Sequence, residues 1–222
     1  MVEEVPEVRG VVKQEPYVPG IIDPGLQKTP REYPLLAGCD VRADVFGTAM
    51  GPIVVYKQQS TIHLEFPRGN DPKISEVEAR ISATNPHCFV DASCGAGTLG
   101  LVAARNAVRS VVMNDAWYSA AFWAAFNIGV NREYFLVNDV IMHHSLTEMK
   151  AQPVGQRPVL VGEARGDQEI TVYHGDLFRL NEVIGGSSVL ATLDLFDKSD
   201  KGRMAHAIER WKGLVSGEVF IP

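Results

Sequence analysis

Apolar positions recur with two different periods along the chain, and the change from one to the other marks its organisation. Val54, Val55, Tyr56, Ile62, Leu64 and Phe66 lie in two β-forming runs, Pro52–Tyr56 and Thr61–Phe66. With Lys57-Gln58-Gln59-Ser60 between them they predict a β-hairpin within residues 51–70, which Pro67-Arg68-Gly69-Asn70 ends. Asp71 then stands as N-cap with Pro72 at the first helical position, and Ile74, Val77 and Ile81 form the apolar stripe of a helix closed by Asn85-Pro86. From residue 87 strand and helix alternate. His87–Val90 reads as a short buried strand, residues 91–97 as a turn and Thr98 to Ala107 as a helix. Val108–Met113 is a second strand and Ala116–Asn131 a second helix. Glu169–Tyr173, Ser188–Leu195 and Glu218–Ile221 read as further strands, with a helix from Asp200 to Lys212. Alternating units of this kind predict an α/β fold with a mainly parallel sheet and helices on its faces.

Three stretches stand outside that rhythm. Residues 1–50 carry prolines at short intervals and turn pairs such as Pro19-Gly20, and read as an extended arm or irregular cap. The second helix has no charged residue from Ala116 to Asn131, and Trp117, Tyr118, Phe122, Trp123 and Phe126 crowd it. A helix apolar on all sides is covered. It is a dimer interface, an aromatic substrate wall, or a helix over which residues 134–169 fold back. That last stretch exceeds an ordinary connection and is expected to have structure of its own.

Composition narrows the class. The 222 residues are 45% hydrophobic and 22% charged, ordinary for a globular chain that buries a real core. Cys39, Cys88 and Cys94 form no C-x-x-C pair, which fits a reducing compartment and weighs against a zinc knuckle. No apolar run reaches the roughly 18 residues of a membrane span, and the acidic, proline-bearing start is unlike a signal peptide, so a cytoplasmic protein is expected. The net charge of −6 disfavours a general nucleic-acid coat. The segment Lys198–Lys212 is the one basic stretch that keeps such a partner open, although a solvated helix face explains it as well.

Candidate chemistry centres on the turn. Gly95-Ala96-Gly97-Thr98-Leu99-Gly100 is literally G-x-G-x-x-G after a strand and opening a helix. Glycines there free the turn for positive φ and leave N–H groups at a helix N-terminus facing a ligand. In a nicotinamide enzyme that ligand is a pyrophosphate, which Asp91, four positions before Gly95, would repel. A carboxylate suits instead a ligand with a sulfonium and an α-ammonium group, such as S-adenosylmethionine. Asp115 ends the second strand, where it could accept from ribose hydroxyls, and Asp176 follows the third, where it could accept from an adenine amino group.

Phe89-Val90-Asp91-Ala92-Ser93-Cys94-Gly95-Ala96-Gly97-Thr98 resembles motif I of the class I S-adenosylmethionine-dependent methyltransferases. Val112–Asp115 resembles their second motif, Tyr173–Asp176 the third and Leu193–Phe196 the fourth, so the resemblance covers about residues 71–222. It implies a Rossmann-like sheet of order 3-2-1-4-5 in residues 51–222, and a cofactor site of Asp91, Ala92, Cys94, Gly95, Gly97, Asp115, Ala116, Asp176 and Leu177. Within that superfamily Val112–Asp115 and Leu193–Phe196 are similar to signatures of the tRNA guanine-N2 dimethyltransferases. Here Leu195 stands in place of that family's proline and Asp197 in place of its glycine. The common fold also carries an antiparallel hairpin after its fifth strand. The sheet is therefore expected to be two strands short, unless the hairpin at 52–66 fills that edge, and an open edge would favour a homodimer.

Methyl transfer is an in-line displacement that demands alignment, exclusion of water and, for some acceptors, removal of a proton. By the resemblance Asp194 is the first catalytic candidate, with Asp197 and Lys198 next. No metal is implied. His143-His144 reads as exposed helix histidines, Cys94 as a small residue packing the turn, and Tyr56, Phe66 and Arg68 as side chains that either close over the site or pack loops. The expected function is S-adenosylmethionine-dependent methyl transfer to a small molecule, protein or tRNA. The alternatives are an inactive cofactor-binding subunit and, on the literal glycine pattern, an NAD-dependent oxidoreductase.

Overall fold

The computed structural model describes residues 5, 7–21, 30–63, 71–155, 157–185, 188–196 and 198–222. Its strands are β1 (Gly10–Val12), β2 (Leu35–Gly38), β3 (Val41–Phe46), β4 (Ile53–Gln58), β5 (Cys88–Asp91), β6 (Ser110–Asp115), β7 (Val137–Met142), β8 (Val159–Gly166), β9 (Glu169–His174), β10 (Val189–Thr192) and β11 (Gly217–Phe220). The helices are α1 (Pro72–Thr84), α2 (Thr98–Arg105), α3 (Tyr118–Asn131), α4 (Leu146–Lys150) and α5 (Lys201–Lys212). Seven strands form the central sheet in the order β11-β10-β5-β6-β9-β8-β7. The first five are mutually parallel and reproduce the order 3-2-1-4-5 that the resemblance implies, read from the opposite end. The fold is Rossmann-like.

The sheet gains its two extra strands at the edge opposite to the one where they were expected. The long segment 134–169 supplies β7 and β8, which add antiparallel beside β9. Val159-Leu160-Val161 is the β-forming run, and Gly166-Asp167 makes the tight connection into β9. At the other edge β11 is unpaired on its outer side among the described residues. Arg80 lies over the ring of Phe220 at 4.1 Å and pairs with Glu218, so charge guards that edge against another strand.

The hairpin predicted within 51–70 is corrected in its pairing. Ile53–Gln58 pairs with Val41–Phe46, residues assigned from sequence to the arm, and the two form a separate sheet. Residues 61–63 are turn and coil, and Leu64–Asn70, including Phe66 and Arg68, lie outside the described residues. The reason is in Asp40: its buried carboxylate accepts from the Ser60 amide at 2.7 Å and from Gln58 Nε2 at 3.2 Å, tying the chain after β4 back to the residue before β3. The arm likewise contains a small antiparallel pair, β1 with β2.

α3 explains why a helix without charge is stable. The central sheet covers one side, β4 the other, and α4 packs beside it. The surface offered as a dimer face or substrate wall is thus occupied mostly within the chain, although Phe126 keeps 40% exposure. Two buried polar residues on that helix, Asn127 and Asn131, do the joining. Asn131 bonds both the N–H and the C=O of Val54, at 2.8 and 2.7 Å; Asn127 does the same for Tyr56, at 2.8 Å each. Residues four apart on a helix are separated by about 6 Å along its axis and alternate residues of a strand by about 7 Å. The i,i+4 pair therefore matches the outward-facing groups of β4 and satisfies an edge that would otherwise be bare.

The apolar residues form two layers. Phe89, Val111, Met113, Ile170 and Val172 face α1, α2 and α3, and Val90, Val112, Ala191 and Leu193 face α5 and the 3-10 turn Leu177–Glu182. Among the described residues no helix is long and apolar enough to cross a membrane.

Candidate active site

β5 and β10 are adjacent central strands of the parallel block, and the crevice outside their carboxyl ends is where open α/β sheets take ligands. The glycine turn follows β5. Gly95 and Gly97 hold φ of +54° and +91°, in the left-handed region that L side chains avoid. Gly97 and Gly100 face inward: a Cβ on Gly97 would stand 3.1 Å from Ala124 Cβ, and one on Gly100 2.4 Å from Met113 Cγ and Sδ. A Cβ on Gly95 would meet nothing within 4 Å. Two glycines thus serve packing, and the third leaves open space beside the backbone.

The acids sit where the strand ends placed them, but they are not alike. Asp91 is 1% exposed. One oxygen accepts from the Gly100 amide in the first turn of α2, and the other from the Thr192 hydroxyl, both at 3.1 Å. Asp91 therefore has both oxygens engaged within the fold. Burial, reinforced by the charge of Asp194, pushes its carboxyl up to about 7. Asp115 is half-buried, accepting from Gly95 N at 2.9 Å and Trp117 N at 2.8 Å, and burial raises it to about 6. Its backbone carbonyl meets His174 Nδ1 at 3.1 Å. Asp176, half-buried, caps the 3-10 turn by accepting from Phe178 N at 2.9 Å, and Leu177 beside it is half-buried.

Asn114 joins these three loops. Its side-chain amide donates to Ala92 O at 3.0 Å and Gly175 O at 3.1 Å, and its backbone carbonyl accepts from Cys94 N at 2.8 Å. Its Oδ1 is buried without a hydrogen-bond partner among the described residues. Ala92 is buried, whereas Ala116 is exposed next to Asp115. Cys94 is buried with its thiol raised well above the ordinary range by burial and by Asp91, so it packs the turn as an unreactive thiol.

At the end of β10, Asp194 stands between two ammonium groups: Lys73 Nζ at 2.8 Å on one oxygen and Lys198 Nζ at 2.6 Å on the other. Lys198 also reaches the Pro222 carbonyl. Lys73 escaped the sequence reading because it belongs to the first turn of α1, 121 residues before its partner. Asp197 lies outside the described residues. His143-His144, expected as exposed helix histidines, lie instead in the coil after β7, where His143 meets Glu163 at 3.1 Å and Arg165 shares that carboxylate at 2.8 Å. Tyr56 packs edge-on against Phe126, at 6.0 Å between ring centres. The Lys201–Lys212 helix is capped by Asp200 and lays Arg210 over the ring of Phe178 at 3.9 Å.

Strand order and a glycine turn after its first parallel strand define a doubly wound, Rossmann-like α/β protein. No protein-family model matches the chain, and no curated protein matches it significantly. Among solved structures it is similar to Trm1 from Pyrococcus horikoshii in complex with S-adenosyl-L-methionine, at 16% identity and a TM-score of 0.47. That similarity covers 68% of this chain and 36% of the other, so the chain spans about a third of that protein's length.

Proposed function

We propose that the chain is an S-adenosylmethionine-dependent methyltransferase. The observation that carries the reading is the convergence of three carboxylates, Asp91, Asp115 and Asp176, on loops that Asn114 joins around one glycine turn. The residues fit that cofactor: space lies open beside Gly95, the buried Asn114 Oδ1 awaits a donor, and acids rather than arginines surround the cleft. When bound, the cofactor supplies a methyl group on a sulfonium. Gly95 would give its backbone to the ligand, Asp115 would exchange its bond to the turn for the ribose hydroxyls, and Asp176 would face the adenine side. Asp91 holds the turn and places negative charge beneath a cationic group. A pyrophosphate would meet repulsion from the same acids, which disfavours a nicotinamide cofactor.

At the acceptor end Asp194 would orient the nucleophile or take its proton once Lys73 or Lys198 has turned away. The acceptor is sought among small molecules, proteins and tRNA. The double pairing of Asp194 also favours a second reading, an inactive cofactor-binding subunit, since a carboxylate locked between two lysines does no proton transfer.

Calorimetric titration with S-adenosylmethionine, S-adenosylhomocysteine and NAD tests the cofactor. Micromolar binding of the first two and none of the third is the expected result, and binding of NAD alone would overturn it. Asp115→Ala is expected to cost about 1–3 kcal/mol of cofactor affinity, the usual penalty for stranded hydrogen-bonding partners. Transfer of labelled methyl to a component of a cell extract, lost in Asp194→Ala with cofactor binding intact, separates the enzyme from the inactive subunit.

A further inference from the structure

Asn127 does more than its neighbour one turn along α3. Both asparagines bond β4, but Asn127 Nδ2 also donates to the carbonyl of Ala96, at 3.0 Å, in the middle of the glycine turn. One fully buried amide therefore holds three backbone groups in two remote segments: the N–H and C=O of Tyr56 and the C=O of Ala96. Asn131 spends its second bond on Asn127 O inside its own helix and does not touch the turn.

The turn needs such a hold. Gly95 and Gly97 give it backbone freedom that bonds from neighbouring elements must restrain. Gly97 N bonds Cys94 O inside the turn, at 2.8 Å, and Gly95 N bonds Asp115 outside it, at 2.9 Å. The second of these joins a carboxylate that would turn to the ribose of a bound cofactor. The Ala96 carbonyl lies between them in sequence, and the Asn127 amide fixes it.

We propose that Asn127 is a positioning residue of the glycine turn, and that through it docking of the β3–β4 hairpin and ligand binding at the turn are coupled. The ligand half of this inference rests on the methyltransferase reading; the positioning half does not. Coupling is reciprocal, so a ligand that orders the turn also tightens the hold on Tyr56.

Residue-resolved amide exchange on the full chain, without ligand, comes first. Asn127→Ala and Asn131→Ala are both expected to speed exchange at the Val54 and Tyr56 amides. Only Asn127→Ala is expected to speed exchange at Gly95 and Gly97, by at least tenfold. Unchanged turn amides in Asn127→Ala, or equal acceleration in both variants, would overturn the proposal. S-adenosylmethionine titration then reads the coupling: Asn127→Ala raises Kd at least fivefold, whereas Asn131→Ala stays within twofold. If Asn127→Ala does not fold, the wild-type chain decides: saturating S-adenosylmethionine slows exchange at Tyr56 more than at Val54, and equal effects refute the coupling. A turn-exchange contrast in a protein that binds no S-adenosylmethionine keeps the positioning role and rejects the ligand.

Discussion

At pH 8 the Asp91→Asn protein is expected to outlast the wild type in urea, and the difference is expected to shrink steadily as the pH falls toward 4. The folded chain holds the Asp91 carboxyl at about 7, whereas an unfolded chain titrates it near the ordinary 3.8. Between those values the folded state binds the proton and the unfolded state does not, so stability is present below about 4 and is lost as pH rises through about 7. At roughly 1.4 kcal/mol per pH unit, the interval is worth on the order of 4 kcal/mol. Asparagine keeps both contacts without the charge: its oxygen accepts from Gly100 and its amide donates to the Thr192 hydroxyl. Asp115, raised to about 6, contributes a slope of the same sign, which cancels between the two proteins. Urea midpoints at pH 5, 6, 7 and 8 measure the effect, and a difference independent of pH would remove the buried-carboxylate account. The same variant is expected to hold a cationic ligand less tightly. A charge retained at a cost to stability is what a binding site requires.

Alanine at Gly100 and alanine at Gly95 are expected to fail in different ways. At Gly100 the new methyl would lie 2.4 Å from two atoms of Met113, itself fully buried under α2 and α3. The core must shift, at about 1–3 kcal/mol for overpacking of this kind. At Gly95 the methyl meets open space, and only the positive φ opposes it, at about 1–2 kcal/mol. The larger effect at Gly95 is expected on cofactor affinity, because the methyl stands in the open space where the proposed cofactor would approach the backbone. Thermal unfolding and S-adenosylmethionine titration, run on both variants, separate the two. Gly95→Ala with undiminished affinity would move the ligand away from the turn.

The parallel half of the sheet was legible because four of its five strands, β5, β6, β9 and β10, are short apolar runs ended or closely followed by a glycine turn or an acid. That punctuation is local, and it located Asp91, Asp115, Asp176 and Asp194 at strand ends before any contact was known. Contacts made across the fold were not legible. Lys73 reads as a surface residue in the first turn of a helix, and only the approach of α1 to β10 brings it to Asp194. The pairing of β4 was misread for a related reason. Thr61–Phe66 has the better β-forming composition, but the buried Asp40 and its bonds to Gln58 and Ser60 select the upstream partner. β8 was signalled by Val159–Val161 and the Gly166-Asp167 pair. The resemblance puts the sheet's antiparallel pair after the fifth strand, at the opposite edge. Asn127 and Asn131 are uncharged polar residues of an apolar helix, and nothing local marks them as partners of a strand 71 and 77 residues away.

The bonds between β4 and α3 span 71 and 77 residues. During synthesis the hairpin leaves the ribosome first, and at roughly 5–20 residues per second it waits about 4–15 seconds for the asparagines that complete it. Over that interval the outward groups of Val54 and Tyr56 face water or any other strand within reach. A nascent chain stalled before residue 127 exposes a bare, β-branched edge, and so is a better substrate for chaperones or for aggregation than one stalled a few residues after 131.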